Sequence, residues 1–278
     1  MAWTKFPHPD KAYEYTAATL KKHWDRLHRG DREPFPTDKW VGETQAAHAK
    51  LGGGDAKATA KALQEAWIAF HAGDFERAAK LGDELGLIGA TVANKATGIY
   101  ANYLESDEAT ALDLYQAIAA RAQRQQAAAS DWANAFYFEA YALGRYSQGI
   151  SVVKALAQGL GGRIKAALDK AVKIEPEHAD AHIALGTYHA EIIDKVGAMV
   201  GGLTYGASKD KGEKHFKRAL ELNPESAIAR IECANGMVMM FGKSRIDQAS
   251  EFYEQAAECT PVDAMERLDV ELAKSELE

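Results

Sequence analysis

The chain has 278 residues, of which 47% are hydrophobic and 26% are charged, so it can bury a large core and is not a disordered polypeptide. Its net charge of −7, without any block rich in Lys and Arg, argues against a nucleic-acid partner, because phosphate backbones recruit basic surfaces. Alanine has the highest helix propensity and occurs 53 times, which indicates an all-α fold.

The first 50 residues are predicted to form an N-terminal helical cap and connector, followed by a helical repeat domain over residues 51–278. Asp10 can cap a helix that Gly30 ends. Its apolar positions share one face: Tyr13, Ala17, Leu20, Trp24 and Leu27. A turn-rich connector follows at 31–36, and the glycines at 52–54 read as a flexible linker. No segment predicts a strand, because helical spacing fits better everywhere.

The sequence shows no targeting or membrane-spanning segment. The first ten residues lack an apolar signal region, and no stretch approaches 18 uninterrupted apolar residues. Cys233 and Cys259 do not form a CxxC motif, so we expect two reduced thiols. We therefore expect a cytoplasmic protein that does not span a membrane. We also expect a bacterial source.

From about residue 56 the chain repeats a helix–turn–helix pattern. Three prolines, at 176, 224 and 261, each end a predicted helix, and each has an alanine five residues earlier. With Pro224 at position 32 of a 34-residue unit, Ala219 takes position 27, Phe216 position 24 and Gly212 position 20. This arrangement of small and aromatic residues resembles the tetratricopeptide repeat (TPR). The resemblance implies a right-handed superhelix of stacked helical hairpins.

Two repeats are longer than the standard unit and carry apolar, Gly-rich insertions. The first insertion covers residues 146–162 and the second covers residues 194–212. Together with the Leu-Gly pairs at 143–144 and 185–186, they are similar to two TPR-like groups, namely the T component associated with TRAP transporters and the regulator of microtubule dynamics family. The T components are usually exported lipoproteins, a role that would need a signal segment and a lipid-modified cysteine near the start.

The insertions are expected to build a wall beyond the standard repeat surface. If they are helical, each carries an apolar stripe. The stripes consist of Val152, Val153, Leu156 and Leu160 in the first insertion and of Val196, Met199, Val200 and Leu203 in the second. Because the repeats are neighbours, we expect the stripes to pack on each other and to close one end of the groove into a pocket.

The TPR resemblance also implies which side chains line the concave face, since positions 2, 5, 9, 12 and 13 of each first helix point there. The predicted ligand- or partner-binding residues are Phe138, Tyr141, Arg145, Ile183, Thr187, Glu191, Ile231, Asn235 and Met239. This mixture of apolar area with a few polar groups is typical of a binding groove. The alternative is that a terminal segment of the chain fills the groove.

The sequence gives only weak evidence for a catalytic or metal-binding site. His178, His182 and His189 lie within twelve residues, and an i,i+4 histidine pair can bind Zn²⁺, but these positions normally pack between helices. Among the carboxylates, Glu191 takes a repeat position that faces the concave surface, but we expect it to be solvated or salt-bridged. No nucleotide-binding, hydrolase or zinc-protease motif is present. We expect no cofactor, no metal and no catalytic residue.

The sequence therefore predicts a non-enzymatic TPR-like binding or adaptor protein that takes a partner protein, a peptide or a small apolar ligand in its concave groove. An alternative is a structural, self-associating protein that uses the insertions as a homo-oligomer interface. A remote alternative is a helical enzyme or metal-binding protein that uses His182, His189 and Glu191.

Overall fold

The computed structural model describes residues 3–277, and every regular element in that range is helical. The predicted all-α class is therefore confirmed for the described part of the chain. The structure divides into two compact units. Unit 1 comprises residues 1–28, 33–149 and 262–265, and unit 2 comprises residues 29–32, 150–261 and 266–278. Residue 50 lies inside unit 1, so the expected boundary there does not separate these two units.

Unit 1 contains seven helices in the range that the structure describes before residue 150. They are α1 (Ala17–Leu27), α2 (Asp38–Ala47), α3 (Ala56–His71), α4 (Phe75–Glu84), α5 (Ala90–Tyr103), α6 (Glu108–Ala128) and α7 (Ala133–Gln148). Five of them begin at a side-chain N-cap, where a hydroxyl or carboxylate accepts a hydrogen bond from a backbone N–H of the first turn. These caps are Thr16, Thr37, Asp55, Asp74 and Asp107. Each helix from α2 to α6 packs against the next one in the chain.

The N-terminal helix begins later than predicted. Asp10 caps only a short 3₁₀ turn, Lys11–Tyr13, and α1 starts after Thr16, whose side chain and that of Thr19 form a reciprocal capping box. The sequence therefore carries a second N-cap signal at Thr16, six residues after Asp10. The predicted apolar face is buried in part, because Leu20, Trp24 and Leu27 are buried whereas Ala17 is exposed. Leu51, the residue directly before the predicted glycine linker, has a fully buried side chain.

The helices that follow residue 150 belong to unit 2, except for the start of α15. They are α8 (Val152–Ala157), α9 (Leu160–Ile174), α10 (Ala179–Val196), α11 (Ala198–Tyr205), α12 (Lys209–Leu222), α13 (Ala227–Phe241), α14 (Ile246–Ala257) and α15 (Ala264–Ser275). The first two residues of α15 are assigned to unit 1. Helix α10 is central, since it packs against α9, α11, α12 and α13. The helices α8 and α11 are the insertions.

The core of unit 2 requires glycine at two positions. A Cβ atom at Gly186 of α10 would lie 2.7 Å from the Phe216 ring, and one at Gly236 of α13 would lie 2.5 Å from it. Phe216 of α12 therefore fills the space between two helices that can approach closely only because these positions are glycine. Ala219 is fully buried and Lys217 is exposed, as the repeat register requires. Within residues 3–277 we find no helix with the length and apolarity of a membrane span.

Candidate binding surfaces

Three of the predicted binding residues lie on α7 in unit 1. Phe138 is buried, whereas Tyr141 and Arg145 are half-buried. The Tyr141 hydroxyl donates a hydrogen bond to the carbonyl oxygen of Gly98 (3.2 Å), and the Arg145 guanidinium lies 5.7 Å from the centre of the Tyr141 ring. The Tyr115 ring of α6 meets the Tyr141 ring edge-on, and burial raises the pKa of Tyr115. The half-buried part of this group is thus a tyrosine ring with one cation over it.

In unit 2 the predicted polar residues are joined in pairs by hydrogen bonds. The Thr187 hydroxyl of α10 donates to Oε2 of Glu232 on α13 (3.0 Å). The Tyr253 hydroxyl of α14 donates to Oδ1 of Asn235 on α13 (2.7 Å). Glu232 and Asn235 lie three residues apart on one face of α13. We call these four half-buried side chains the polar row, since they come from three successive packed helices, α10, α13 and α14.

The other predicted residues of unit 2 divide between surface and core. Glu191 forms an ion pair with Lys195 one turn later (3.0 Å), and Met239 packs at the edge of the Phe216 core while staying partly exposed. Ile183 and Ile231 are buried in the core, and neither is accessible to a partner in this conformation. The role of the accessible residues in binding stays a prediction.

The sequence did not predict two members of the polar row as binding residues. With Pro261 at position 32, Tyr253 takes repeat position 24, where the repeat pattern predicts a packing aromatic. Glu232 falls between the predicted binding residues Ile231 and Asn235. The signal that could have found Glu232 is its spacing of three residues from Asn235, because i,i+3 residues share a helix face.

A second polar group in unit 2 is the histidine cluster, which consists of His182, His189 and His215. His182 Nε2 lies 3.1 Å from the carbonyl oxygen of Pro176, which can only accept, so the proton of His182 is on Nε2. Nδ1 of His182 then accepts from Nδ1 of His215 at 2.9 Å. The His189 ring stacks on that of His215, with 5.9 Å between ring centres. His178 is separate, because its Nδ1 caps α10 by accepting from the backbone N–H of Ala181.

The histidine cluster is electrically neutral near pH 7. Burial, with Lys165 and Lys211 nearby, lowers the pKa of His189 to about 4. Burial, with the other two histidines beside it, lowers the pKa of His215 to about 4 as well. In the part of the chain that the structure describes, no group of three or more His, Cys, Asp and Glu side chains has an arrangement suited to a metal ion. The cluster therefore acts as a packed, hydrogen-bonded element between α10 and α12.

Unit 1 contains a His–Asp pair that the sequence did not predict. His71 Nδ1 donates to Asp263 Oδ2 at 2.7 Å, and the exposed fractions of the two side chains are 0% and 2%. Such a dyad can hold a proton for acid–base chemistry, but a substrate cannot reach it here. It links the segment 262–265 to α3, and the hydrogen bond from the Tyr15 hydroxyl to the Val262 carbonyl (2.8 Å) links the same segment to the chain before α1, within the same unit.

The predicted wall between the two insertions is not formed. The side chains of both stripes are largely in solvent, with 77% of Val153, 79% of Met199 and 85% of Leu203 exposed. Only Leu160 is buried, at the start of α9. The stripes do not pack on each other because α8 has only six residues and because α11 contacts its unit through Gly201 and Tyr205 instead.

Comparisons with known proteins assign no family. No protein-family model matches the chain, and no curated protein matches it.

Proposed function

We propose that this chain is a non-enzymatic, TPR-like binding or adaptor protein, and that unit 2 takes a peptide segment of a partner protein on the surface formed by α10, α13 and α14. The packing of α10 against both α12 and α13, and of α13 against α14, is the order expected for consecutive helical hairpins. Cys233 and Cys259 are not joined in a disulfide, which agrees with the reducing compartment that we propose for the chain, the cytoplasm.

The polar row is the observation that carries this proposal. Its members present a hydroxyl, a carboxylate, an amide and a phenol on neighbouring helices, and all of them remain partly exposed. Beside them on α13, Val238 is exposed and Met239 is partly buried. A peptide backbone offers donors and acceptors that such groups can bind, and the adjacent apolar side chains supply contact area.

The charge of this surface favours one kind of peptide. Glu232 belongs to the polar row, and Glu191 lies one helical turn from Thr187 on α10. A cationic or neutral peptide would contact these carboxylates favourably, whereas an acidic peptide would be repelled. A small apolar ligand would leave the polar groups without new partners, so the polar row supports it less than it supports a peptide.

The experiment is a selection of binders from a random peptide library displayed on phage, followed by affinity measurements on the enriched sequences by fluorescence anisotropy. We expect Thr187→Trp to weaken binding at least about tenfold, because the indole would cover the polar row. Lys217→Ala, on the exposed side of α12, is the control and should bind like the original protein.

The melting temperature decides how a loss of binding is interpreted. If Thr187→Trp melts close to the original protein and binding is lost, the surface is a binding site. A large decrease in the melting temperature would show that Thr187 is packed core. A library that yields no peptide, or peptides that bind both variants equally, would contradict the proposal.

A further inference from the structure

Unit 2 exposes a set of large apolar side chains on its two insertion helices. We call this set the apolar patch, and its members expose between 41% and 85% of their surface: Val152, Val153, Leu156, Met199, Val200 and Leu203. Soluble monomers rarely expose apolar areas larger than a few hundred Å², and such areas mark interaction sites. The patch is therefore a candidate interaction surface separate from the polar row.

Both insertion helices belong to the same end of unit 2. Helix α8 leads through the turn at Gly159 into the start of α9. There, a Cβ atom at Gly161 would lie 3.1 Å from the Tyr205 ring, which stands at the end of α11, and 3.6 Å from Ile192 near the end of α10. Gly201 of α11 also faces Ile192. Helices α8 and α11 therefore both join unit 2 where the first turn of α9 meets the last turns of α10.

Helix α11 is apolar on nearly its whole circumference and yet stands in solvent. Of its eight residues only Gly201 is buried, and Tyr205 is intermediate. Gly197 and Gly206, both with positive φ, bound it on either side, so the chain can turn sharply into and out of the helix. A helix that is apolar on all sides is expected to be covered by apolar surroundings.

The charges beside the patch in sequence are mainly positive, since Asp194 and Lys195 precede α11 while Lys209, Asp210 and Lys211 follow it. Residues 151–163 contain Lys154 and Arg163 and no carboxylate, and residues 196–208 contain no charged side chain. The whole chain carries −7. This end of unit 2 therefore combines protruding apolar side chains with flanking cations, while the acidic residues of the chain lie outside both segments.

We propose that the apolar patch docks on the surface of an anionic lipid bilayer. Met199, Val200 and Leu203 enter the boundary between headgroups and acyl chains, and Lys154 and Arg163 contact the lipid phosphates. The negative charge elsewhere on the chain disfavours other orientations on the same membrane.

A second copy of the chain fits the patch less well. In a symmetric dimer two copies of the same surface meet, so a patch with an excess of cations would face another patch with the same excess. An anionic lipid surface supplies the opposite charge to Lys154 and Arg163. This difference in charge complementarity decides between the two occupants.

The test is flotation of the purified chain with vesicles of phosphatidylcholine alone and with vesicles of phosphatidylcholine mixed with phosphatidylserine. We expect binding to the mixed vesicles that decreases with added salt, and at least about tenfold weaker binding to phosphatidylcholine alone. The variant Met199→Ser/Leu203→Ser should lose at least about tenfold in binding to the mixed vesicles. Val238→Ser removes an exposed apolar side chain of α13 outside the patch and should bind as before.

Two further variants separate this proposal from its rivals. Lys154→Glu should weaken binding to the mixed vesicles and leave the melting temperature unchanged, because the side chain is exposed. Thr187→Trp should leave vesicle binding intact, so that failure of the peptide proposal does not affect this one. Absence of binding to the mixed vesicles overturns the membrane proposal. Light scattering that shows a dimer, dissociated by Met199→Ser/Leu203→Ser, would overturn it in favour of self-association.

Discussion

Adding one methyl group tests how Phe216 is held between α10 and α13. In Gly236→Ala the new Cβ would lie 2.5 Å from Cε2 and 2.6 Å from Cζ of Phe216, about 1 Å inside the usual carbon–carbon contact distance of roughly 3.5–4.0 Å. The ring has little freedom to withdraw. It is 2% exposed, and on its other edge a Cβ at Gly186 would lie 2.7 Å from Cδ1.

The expected change in the free energy of unfolding results from two opposing effects. Alanine in a helix is more favourable than glycine by about 1 kcal/mol. Overpacking of a core that cannot relax costs about 1–3 kcal/mol. Since the clash involves a buried aromatic ring that is confined by two helices, we expect the overpacking cost to exceed the gain. Gly236→Ala should therefore lower the free energy of unfolding of unit 2 by up to about 2 kcal/mol.

Urea unfolding followed by two signals measures this loss and locates it. All five tryptophans belong to unit 1, so tryptophan fluorescence reports that unit, whereas far-ultraviolet circular dichroism reports the helices of both units. We expect Gly236→Ala to shift the circular dichroism transition to lower urea and to shift the fluorescence transition less. Gly162→Ala is the matched control, since its Cβ would meet nothing within 4 Å and should cost no stability.

A double variant provides the refuting measurement. If the clash with the ring is the cause, Phe216→Leu should make Gly236→Ala less costly than it is in the original chain, because contacting residues show non-additive effects. A Gly236→Ala variant as stable as the original protein, or strict additivity with Phe216→Leu, would refute the close packing described here.

Two more predictions concern unit 2. Ala219→Leu should cost about 1–3 kcal/mol by overpacking a fully buried site, whereas Lys217→Ala should change stability by less than about 0.5 kcal/mol; equal urea midpoints would show that the repeat register is wrong. Stability should also fall between pH 7 and pH 5, by on the order of 2 kcal/mol, because the unfolded chain protonates His189 and His215 near pH 6.5 while their folded pKa values are about 4. His189→Gln should reduce this dependence, and an unchanged pH profile in that variant would contradict the assignment.

The repeat core could be predicted from the sequence because its signals are local. Helix ends marked by proline and small residues at fixed spacing before them placed Ala219 and Phe216 correctly in the core. Each of these signals lies within a few residues of the side chain that it positions, so one sequence is enough to read it.

The polar contacts could not be predicted in the same way, because their partners are distant in sequence. Thr187 and Glu232 are 45 residues apart, His182 and His215 are 33 apart, and His71 and Asp263 are 192 apart. A pattern in one chain does not identify such pairs, since each member is an ordinary helix or loop residue until the fold brings them together.

The insertions show where apolar patterning misleads. The stripe on α8 has the spacing of a buried helix face, and burial of Val153 and Leu203 was the natural prediction. Burial also requires a second surface within reach, and the short helices α8 and α11 do not provide one for each other. Hydrophobicity predicted that these residues avoid water, whereas the structure leaves their side chains exposed.

The hydrogen bond between His71 and Asp263 has a consequence for synthesis on the ribosome. Unit 1 is otherwise complete at residue 149, yet it recruits the segment 262–265, which is translated only after residues 150–261 of unit 2. Until then the imidazole of His71 and the hydroxyl of Tyr15 have not met Asp263 and Val262. The final consolidation of unit 1 is therefore delayed until late in translation, and a chain that stopped at residue 261 would lack the acceptors of both bonds.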